Sequence, residues 1–421
     1  MLPVETELHL RMNVMGAGVE INDLAIWAAE VKHELSCQVV TAVLMAVQEQ
    51  HLERVFTGEA ELVCTGCGVV HTGSGSVLRR GSRRRKLRTS SGEIIFELRQ
   101  VTCSTCRKTW SPYLELLGVA PRQRVLEELE RRLVDWVTEL SYGQTVRLGA
   151  AWLGATLSKR RLHSAVQRHG ARVRFTAAEP TAVLVADGTM VASGEKRWGG
   201  DDISVVFQVI GRTREGRRPR AIKRVVGFGS GAGHWQETLA TTSQPKLVVT
   251  DRERGLHRLV SERFPRARHQ QCEWHLAHGL SYALWRDGVA VKPRRQLSSQ
   301  LTTILKLEPA PAAAAYQRLL GRLGACPKAR AFLENSAPYV LYPTPSQERT
   351  TALAEREMRE LNRRTDVGVR WSLSGVSNLL RLRLAQRHNP DDYERIWTST
   401  QRVECNLVPQ TRCQRNSSLP I

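Results

Sequence analysis

Two short apolar runs that each end in an aspartate constrain this chain most. Thr181-Ala-Val-Leu-Val-Ala-Asp187 and Lys246-Leu-Val-Val-Thr-Asp251 are too short for helices and rich in β-branched residues, so both read as buried strands. A carboxylate at the end of such a strand is costly unless it is paired or holds a cation. A third carboxylate, Glu355, lies far downstream in the charged helical stretch Ala354-Glu-Arg-Glu-Met-Arg-Glu-Leu-Asn-Arg-Arg364. Each has a plain alternative: Asp187-Gly188 as a turn, Asp251 as a helix N-cap, and Glu355 paired with Arg359 on a helix face.

Around the two aspartates the pattern gives strand 181–186, strand 203–210, strand 221–228, helix 233–241, strand 246–250 and helix 254–264. Three consecutive strands followed by helix, strand and helix describe an α/β sheet that begins as a meander. If the first and fourth strands are neighbours, Asp187 and Asp251 meet at one end of it. Residues 276–344 are mostly helical with proline breaks and read as an insertion. The helix carrying Glu355 runs from near Thr350 to before Gly368, and another amphipathic helix follows from Trp371.

Upstream the composition changes. Residues 20–57 read as helices. Cys64-Thr-Gly-Cys67 and Cys103-Ser-Thr-Cys106 form two knuckles, four of the chain's nine cysteines. Paired Cys-x-x-Cys in a chain of this size reads as a metal site, here one structural Zn²⁺ in a zinc ribbon, although the interval between the knuckles exceeds the usual spacing. Between them, Arg79 to Arg88 include Arg83, Arg84, Arg85 and Lys86, either a solvated loop or a phosphate contact. Next come an amphipathic helix at 122–139, a glycine-containing turn ending at Gly154, and a helix after Ser158 whose polar positions hold Lys159, Arg160, Arg161 and Gln167. This is the layout of a helix-turn-helix with a basic second helix; the alternative is an ordinary packed pair.

The net charge of +21 favours a polyanionic partner. No apolar run approaches the roughly 18 residues needed to span a bilayer. No secretory signal pattern opens the chain, so a cytoplasmic, nucleoid-associated location is expected.

Val185-Ala-Asp187-Gly188, Val249-Thr-Asp251-Arg-Glu-Arg-Gly255, Gln271-Cys272-Glu-Trp-His275, and Glu355 followed by Arg359, Asn362, Arg364 and Thr365 occur in one order. That order resembles the DDE transposases of bacterial insertion sequences, in the Mutator-like group with an RNase H-like catalytic core. The resemblance covers about 61–390. It implies a multidomain chain: an N-terminal helical region (1–60), zinc ribbon (61–112), helix-turn-helix domain (113–178), first part of the α/β core (179–275), all-helical insertion (276–344), catalytic-glutamate helix (345–400) and loose tail (401–421).

It further implies Mg²⁺-dependent cleavage at transposon ends and strand transfer into target DNA. Two ions, for which Mn²⁺ can substitute, would be held by Asp187, Asp251 and Glu355. The partner would be double-stranded DNA, bound by a homodimer or larger assembly, with no membrane involved. Glu357 competes with Glu355 as third ligand. Arg359 and Arg363, with Arg356, would face the scissile strand or simply solvent. Cys272 and His275, the family motif, would pack beside the site with Trp274, or form half of a metal site with His269 or His278. The competing functions are a non-catalytic DNA-binding regulator and a nuclease that cuts without joining.

Overall fold

A computed structural model describes residues 21–179, 182–196, 199–213, 220–240, 242, 244–251, 253–341 and 348–397. The expectations for residues 1–20 and for the tail after 400 lie outside the described residues.

The first helix, α1 (Ile21–Thr57), is continuous where separate helices were expected. It covers a two-stranded sheet of β1 (Leu62–Val63) and β2 (Val70–His71) and a three-stranded sheet of β3 (Val77–Thr89), β4 (Gly92–Cys103) and β5 (Thr109–Trp110), followed by the single turn α2 (Tyr113–Leu116). β4 alternates as a half-buried strand must: Ile94, Phe96 and Leu98 join Leu52 and Val55 of α1 in one core, while Glu93, Ile95 and Glu97 face out. Gln48, fully buried on α1, fastens the two elements by donating to Glu97 O at 3.2 Å and accepting from Arg99 N at 3.0 Å. The basic run 79–88 is therefore a strand and not a loop. β3 pairs with β4 along its length, apart from a register shift between Arg79 and Gly81.

Three helices follow: α3 (Glu127–Glu139), α4 (Tyr142–Leu153) and α5 (Lys159–Gly170). Ser141 and Gln144 form a capping box on α4, Gly154 ends it with φ 61°, and Ser158 caps α5. Their apolar faces share a core with residues from the far end of the chain, including Leu379, Leu382 and Trp397.

The central sheet contains β6 (Val183–Ala192), β7 (Gly200–Arg212), β8 (Ala221–Ser230), β9 (Leu247–Thr250) and β10 (Arg268–Gln271), in the order β10-β9-β6-β7-β8. β6, β7 and β8 are antiparallel neighbours; β9 runs parallel to β6, and β10 parallel to β9. α6 (His234–Ala240) and α7 (Arg254–Arg263) cover one face. α6 comes so close to β8 that a Cβ on Gly227 or Gly229 would meet the carbonyls of Thr238 or His234 at 2.0 and 1.9 Å, which leaves glycine as the residue that fits. After β10 come α8 (Glu273–Arg286), α9 (Val291–Ile304), α10 (Pro309–Arg322) and α11 (Pro327–Ser336), packed around their own core of Leu280, Leu284, Leu301, Tyr316 and Leu333. The chain then returns as α12 (Ala352–Thr365) and α13 (Leu373–His388), which cover the second face of the sheet, and α14 (Pro390–Glu394) is the last described helix.

Two strand expectations change. β6 does not stop at Ala186: β7 continues to partner it, with Asp187 opposite Val205, so the strand runs on to Ala192. β10 was not expected, because Arg268-His-Gln-Gln has no apolar pattern. Its last two residues, Gln270 and Gln271, are nonetheless buried.

Candidate active site where β6 and β9 part

β9 pairs with β6 up to Val249 opposite Val185. Two residues further along each strand stand Asp251 and Asp187, so the parallel register brings both aspartates to the same end of the sheet. Side chains alternate between faces, and Val185 belongs to the face covered by α12; Asp187, two residues on, points the same way. α12 enters with Ala354, Met358 and Leu361 buried on the sheet and Asn362 accepting from the Thr189 hydroxyl at 3.0 Å. Glu355, in its first turn, is thereby turned toward the aspartates.

The electrostatics follow from this proximity. Asp187 is 7% exposed, and its pKa is pushed up to about 7. Burial is the main cause, and the Asp251 and Glu355 carboxylates add to it against the Gly188 N–H and His275. Gly188 N donates to Asp187 at 3.0 Å and Glu253 N to Asp251 at 3.1 Å. Among the described residues, neither aspartate has a lysine or arginine partner. Glu355 accepts from the Thr351 hydroxyl at 3.0 Å and lies 3.9 Å from His275 Nδ1.

Glu357 has the opposite surroundings. It is buried against the sheet, 3.0 Å from Lys223, 3.1 Å from His388 and 3.6 Å from Arg387. Burial alone would raise its pKa, but His388 and Lys223 outweigh that and hold it down at about 2. Glu360 pairs with Arg363 at 2.6 Å.

Cys272 caps α8, which places His275 on the same face one turn later. The sulfur accepts from Thr351 N at 3.3 Å. Hydrogen bonding to Cys272, then the nearby Asp251 and Glu355 carboxylates, raise the His275 pKa. One ligand atom each from Cys272, His275 and Glu355 lies within 4.8 Å of the others, a donor set that could hold a metal. The third member is Glu355, not His269 or His278: His269 is bonded to Thr250 and stacks on His257, and His278 stacks on Trp274. Trp274, expected to pack in the core, is 55% exposed. Thr351, which touches Cys272, His275 and Glu355 alike, was missed; a threonine four residues before the glutamate was the available signal.

The family model described as Transposase, Mutator family, matches residues 22–372. The chain belongs to the Mutator family of transposases. No curated protein matches it.

A transposase acts on DNA. Cys64, Cys67, Cys103 and Cys106 place their sulfurs within 4.8 Å of one another. The Cys64–Cys106 and Cys67–Cys103 separations are 3.6 and 3.7 Å. Thiolates 2.3 Å from a tetrahedral zinc would be about 3.8 Å apart, so the four fit such an ion. Gly66 N and Cys106 N donate to sulfurs at 3.3 Å, as thiolate ligands require.

The basic residues divide. On β3, Arg83 and Arg84 are exposed without a partner among the described residues. Lys86 pairs with Glu93 at 2.5 Å, and Arg85 donates to Gln123 O at 2.6 Å. On α5, Lys159, Arg160 and Arg161 face solvent, whereas Gln167 turns inward and accepts from Asn378 at 2.7 Å. On α12, Arg356, Arg359 and Arg363 are exposed. Among the described residues no helix is long and apolar enough to cross a membrane.

Proposed function

We propose that this transposase is a DDE enzyme with an RNase H-like core, cutting phosphodiesters at transposon ends and joining the freed 3′-hydroxyl to target DNA. Asp187, Asp251 and Glu355 are the catalytic carboxylates of this reading, with Glu357 in a structural role. The observation that carries it is their convergence without a lysine or arginine partner among the described residues, with Asp187 pushed up to about 7. Such a site has a charge deficit that divalent cations relieve. Strand order β10-β9-β6-β7-β8, with three antiparallel strands and two parallel ones, supports the core assignment.

The three carboxylates would hold two Mg²⁺ ions, or Mn²⁺ in their place. Bound there, such ions supply Lewis-acid stabilisation to the attacking and leaving oxygens of an in-line displacement. The chain's own part is positional. The β6–β9 register fixes the two aspartates relative to each other, and Thr351 and His275 hold the Glu355 carboxylate toward them. Arg356, Arg359 and Arg363 extend from the same helix toward solvent, where strand phosphates would pass. No serine or tyrosine nucleophile is needed.

The two knuckles and their sheets, as a zinc ribbon with Arg83 and Arg84, and α3–α5, as a helix-turn-helix led by Lys159, Arg160 and Arg161, would bind the transposon ends. Joining two ends calls for at least a dimer.

The test uses the full chain and a duplex carrying the DNA that flanks its own gene. Cleavage and strand transfer are scored with Mg²⁺, with EDTA, and with Asp187→Asn. Metal-dependent nicking at a defined end that the substitution abolishes is the expected result. Tight, specific binding with no cleavage in any metal would make the chain a DNA-binding regulator instead.

A further inference from the structure

The solvent face of α8 is unlike that of an ordinary surface helix. Its exposed residues are Trp274, His278, Tyr282, Trp285 and Arg286, spaced so that they form one stripe. Trp274, Tyr282 and Trp285 are 55, 58 and 55% exposed. The opposite face, with Leu276, Leu280, Ala283 and Leu284, is buried in the helical insertion's core. An amphipathic helix normally presents charged groups on its wet side; a run of aromatic rings there marks a contact surface.

The rings are already ordered in pairs. Trp274 and His278 stack at 5.4 Å with 3° between their planes, and Tyr282 and Trp285 lie 5.4 Å apart at 37°. From Trp274 to Trp285 the stripe covers about 16 Å of helix axis. It starts beside the candidate active site, since His275, next to Trp274, is 3.9 Å from Glu355. It ends at α9, whose start exposes Lys292 and Arg295, and the sequence from Gly288 to Leu307 contains no carboxylate. Glu273 and Asp287, the acids at the ends of α8, are both engaged: Glu273 with Arg349, and Asp287 with the N-terminal N–H groups of α11.

An aromatic stripe within a basic margin whose two acids are engaged elsewhere fits bases with phosphates beside them better than it fits another protein surface. Duplex DNA hides its base faces, so the ligand must be unpaired. We propose that this face of α8 stacks the unpaired nucleobases of a single-stranded DNA end next to the cleavage site. The proposal deepens the DDE reading and rests on it for the position of the scissile strand.

The experiment measures binding alone. The full-length Asp187→Asn chain is titrated in EDTA with two probes: a duplex bearing a single-stranded thymine overhang that contains 2-aminopurine, and a blunt duplex of equal length. The expected result is tighter binding of the overhang probe with a change in 2-aminopurine fluorescence. Trp274→Ala and Trp285→Ala should each lose about tenfold on the overhang probe and little on the blunt one. Trp274→Phe should retain most of the affinity.

Equal losses on both probes, or none, would overturn the proposal. So would alanine variants that alter the oligomeric state and leave overhang binding intact, because the stripe would then be an interface between copies. The assay needs no metal and no cleavage. If the overhang is preferred but the parent chain never cuts in Mg²⁺, the DDE reading falls, and the base-stacking face stands without its place beside a cleavage site.

Discussion

Glu355 and Glu357 lie two residues apart on α12 and show how differently one helix can treat a carboxylate. Glu357 is enclosed by Lys223, Arg387 and His388, which face its charge at 3.0–3.6 Å. Glu355, on the other side of the helix, touches a hydroxyl and an imidazole and looks toward two further carboxylates. The first arrangement holds the helix on the sheet. The second leaves negative charge uncompensated, which folding alone does not favour. In the proposed reading the carboxylate surrounded by cations is structural, and the group of carboxylates without lysine or arginine partners is the one that binds metal.

The largest effect expected from this contrast is on activity. Asp187→Asn, Asp251→Asn and Glu355→Gln should each reduce Mg²⁺-dependent strand cleavage by about a thousandfold or more. Their melting temperatures should stay close to the parent's or rise. A variant that cuts normally would break the contrast at that residue. Glu357→Gln should behave inversely, lowering stability by about 3–5 kcal/mol because Lys223 and its neighbours lose their partner. Denaturant titration measures it, and cleavage per folded molecule should be nearly unchanged.

The next effect is on pH dependence. The Glu357 pKa is lowered to about 2, so its contribution is complete above the unfolded value of about 4.3 and is lost as pH falls toward 2. The stability gap between parent and Glu357→Gln should therefore narrow between pH 5 and pH 3. Asp187 carries the opposite sign. With its pKa raised to about 7, its contribution is complete below the unfolded value of about 4 and is lost as pH rises from there through 7, as the unfolded chain ionises freely and the folded site resists the charge. The smallest effect follows: Mg²⁺ should raise the melting temperature by a few degrees at pH 8 and by less at pH 6, and Asp187→Asn should remove the difference.

Much of this was legible in the sequence wherever one residue's neighbours on the chain decide its role. The apolar runs around Asp187 and Asp251, the two cysteine knuckles, the helix ending at Glu139 and the helix after Ser158 follow from local pattern. The distinction between Glu355 and Glu357 was not, because Lys223, Arg387 and His388 arrive from other elements. β3 was hidden for a related reason: its arginines carry no alternation, and β4, whose pattern is clear, recruits them as an outer strand. β10 is defined by parallel pairing with β9 and not by its own polar residues. The aromatic stripe of α8 looked like core because a tryptophan near an active site usually is; only the packing of Leu276 and Leu280 shows which side of the helix is wet.

Finally, α3–α5 are not hung from the rest by a tether. They share one apolar core with α13. The Arg364 guanidinium, at the end of the glutamate helix, reaches Val137 O through Nε and Nη2 at 3.1 and 3.0 Å, and Arg383 reaches Thr138 O at 2.6 Å. The basic end of α5 and the three carboxylates are thus set at a constant offset, like the two jaws of a caliper. In the proposed reaction, the distance along the duplex between bound sequence and broken bond becomes a property of the protein. One extra base pair between them would shift the target by about 3.4 Å and turn it by about 35°, out of reach of a rigid frame.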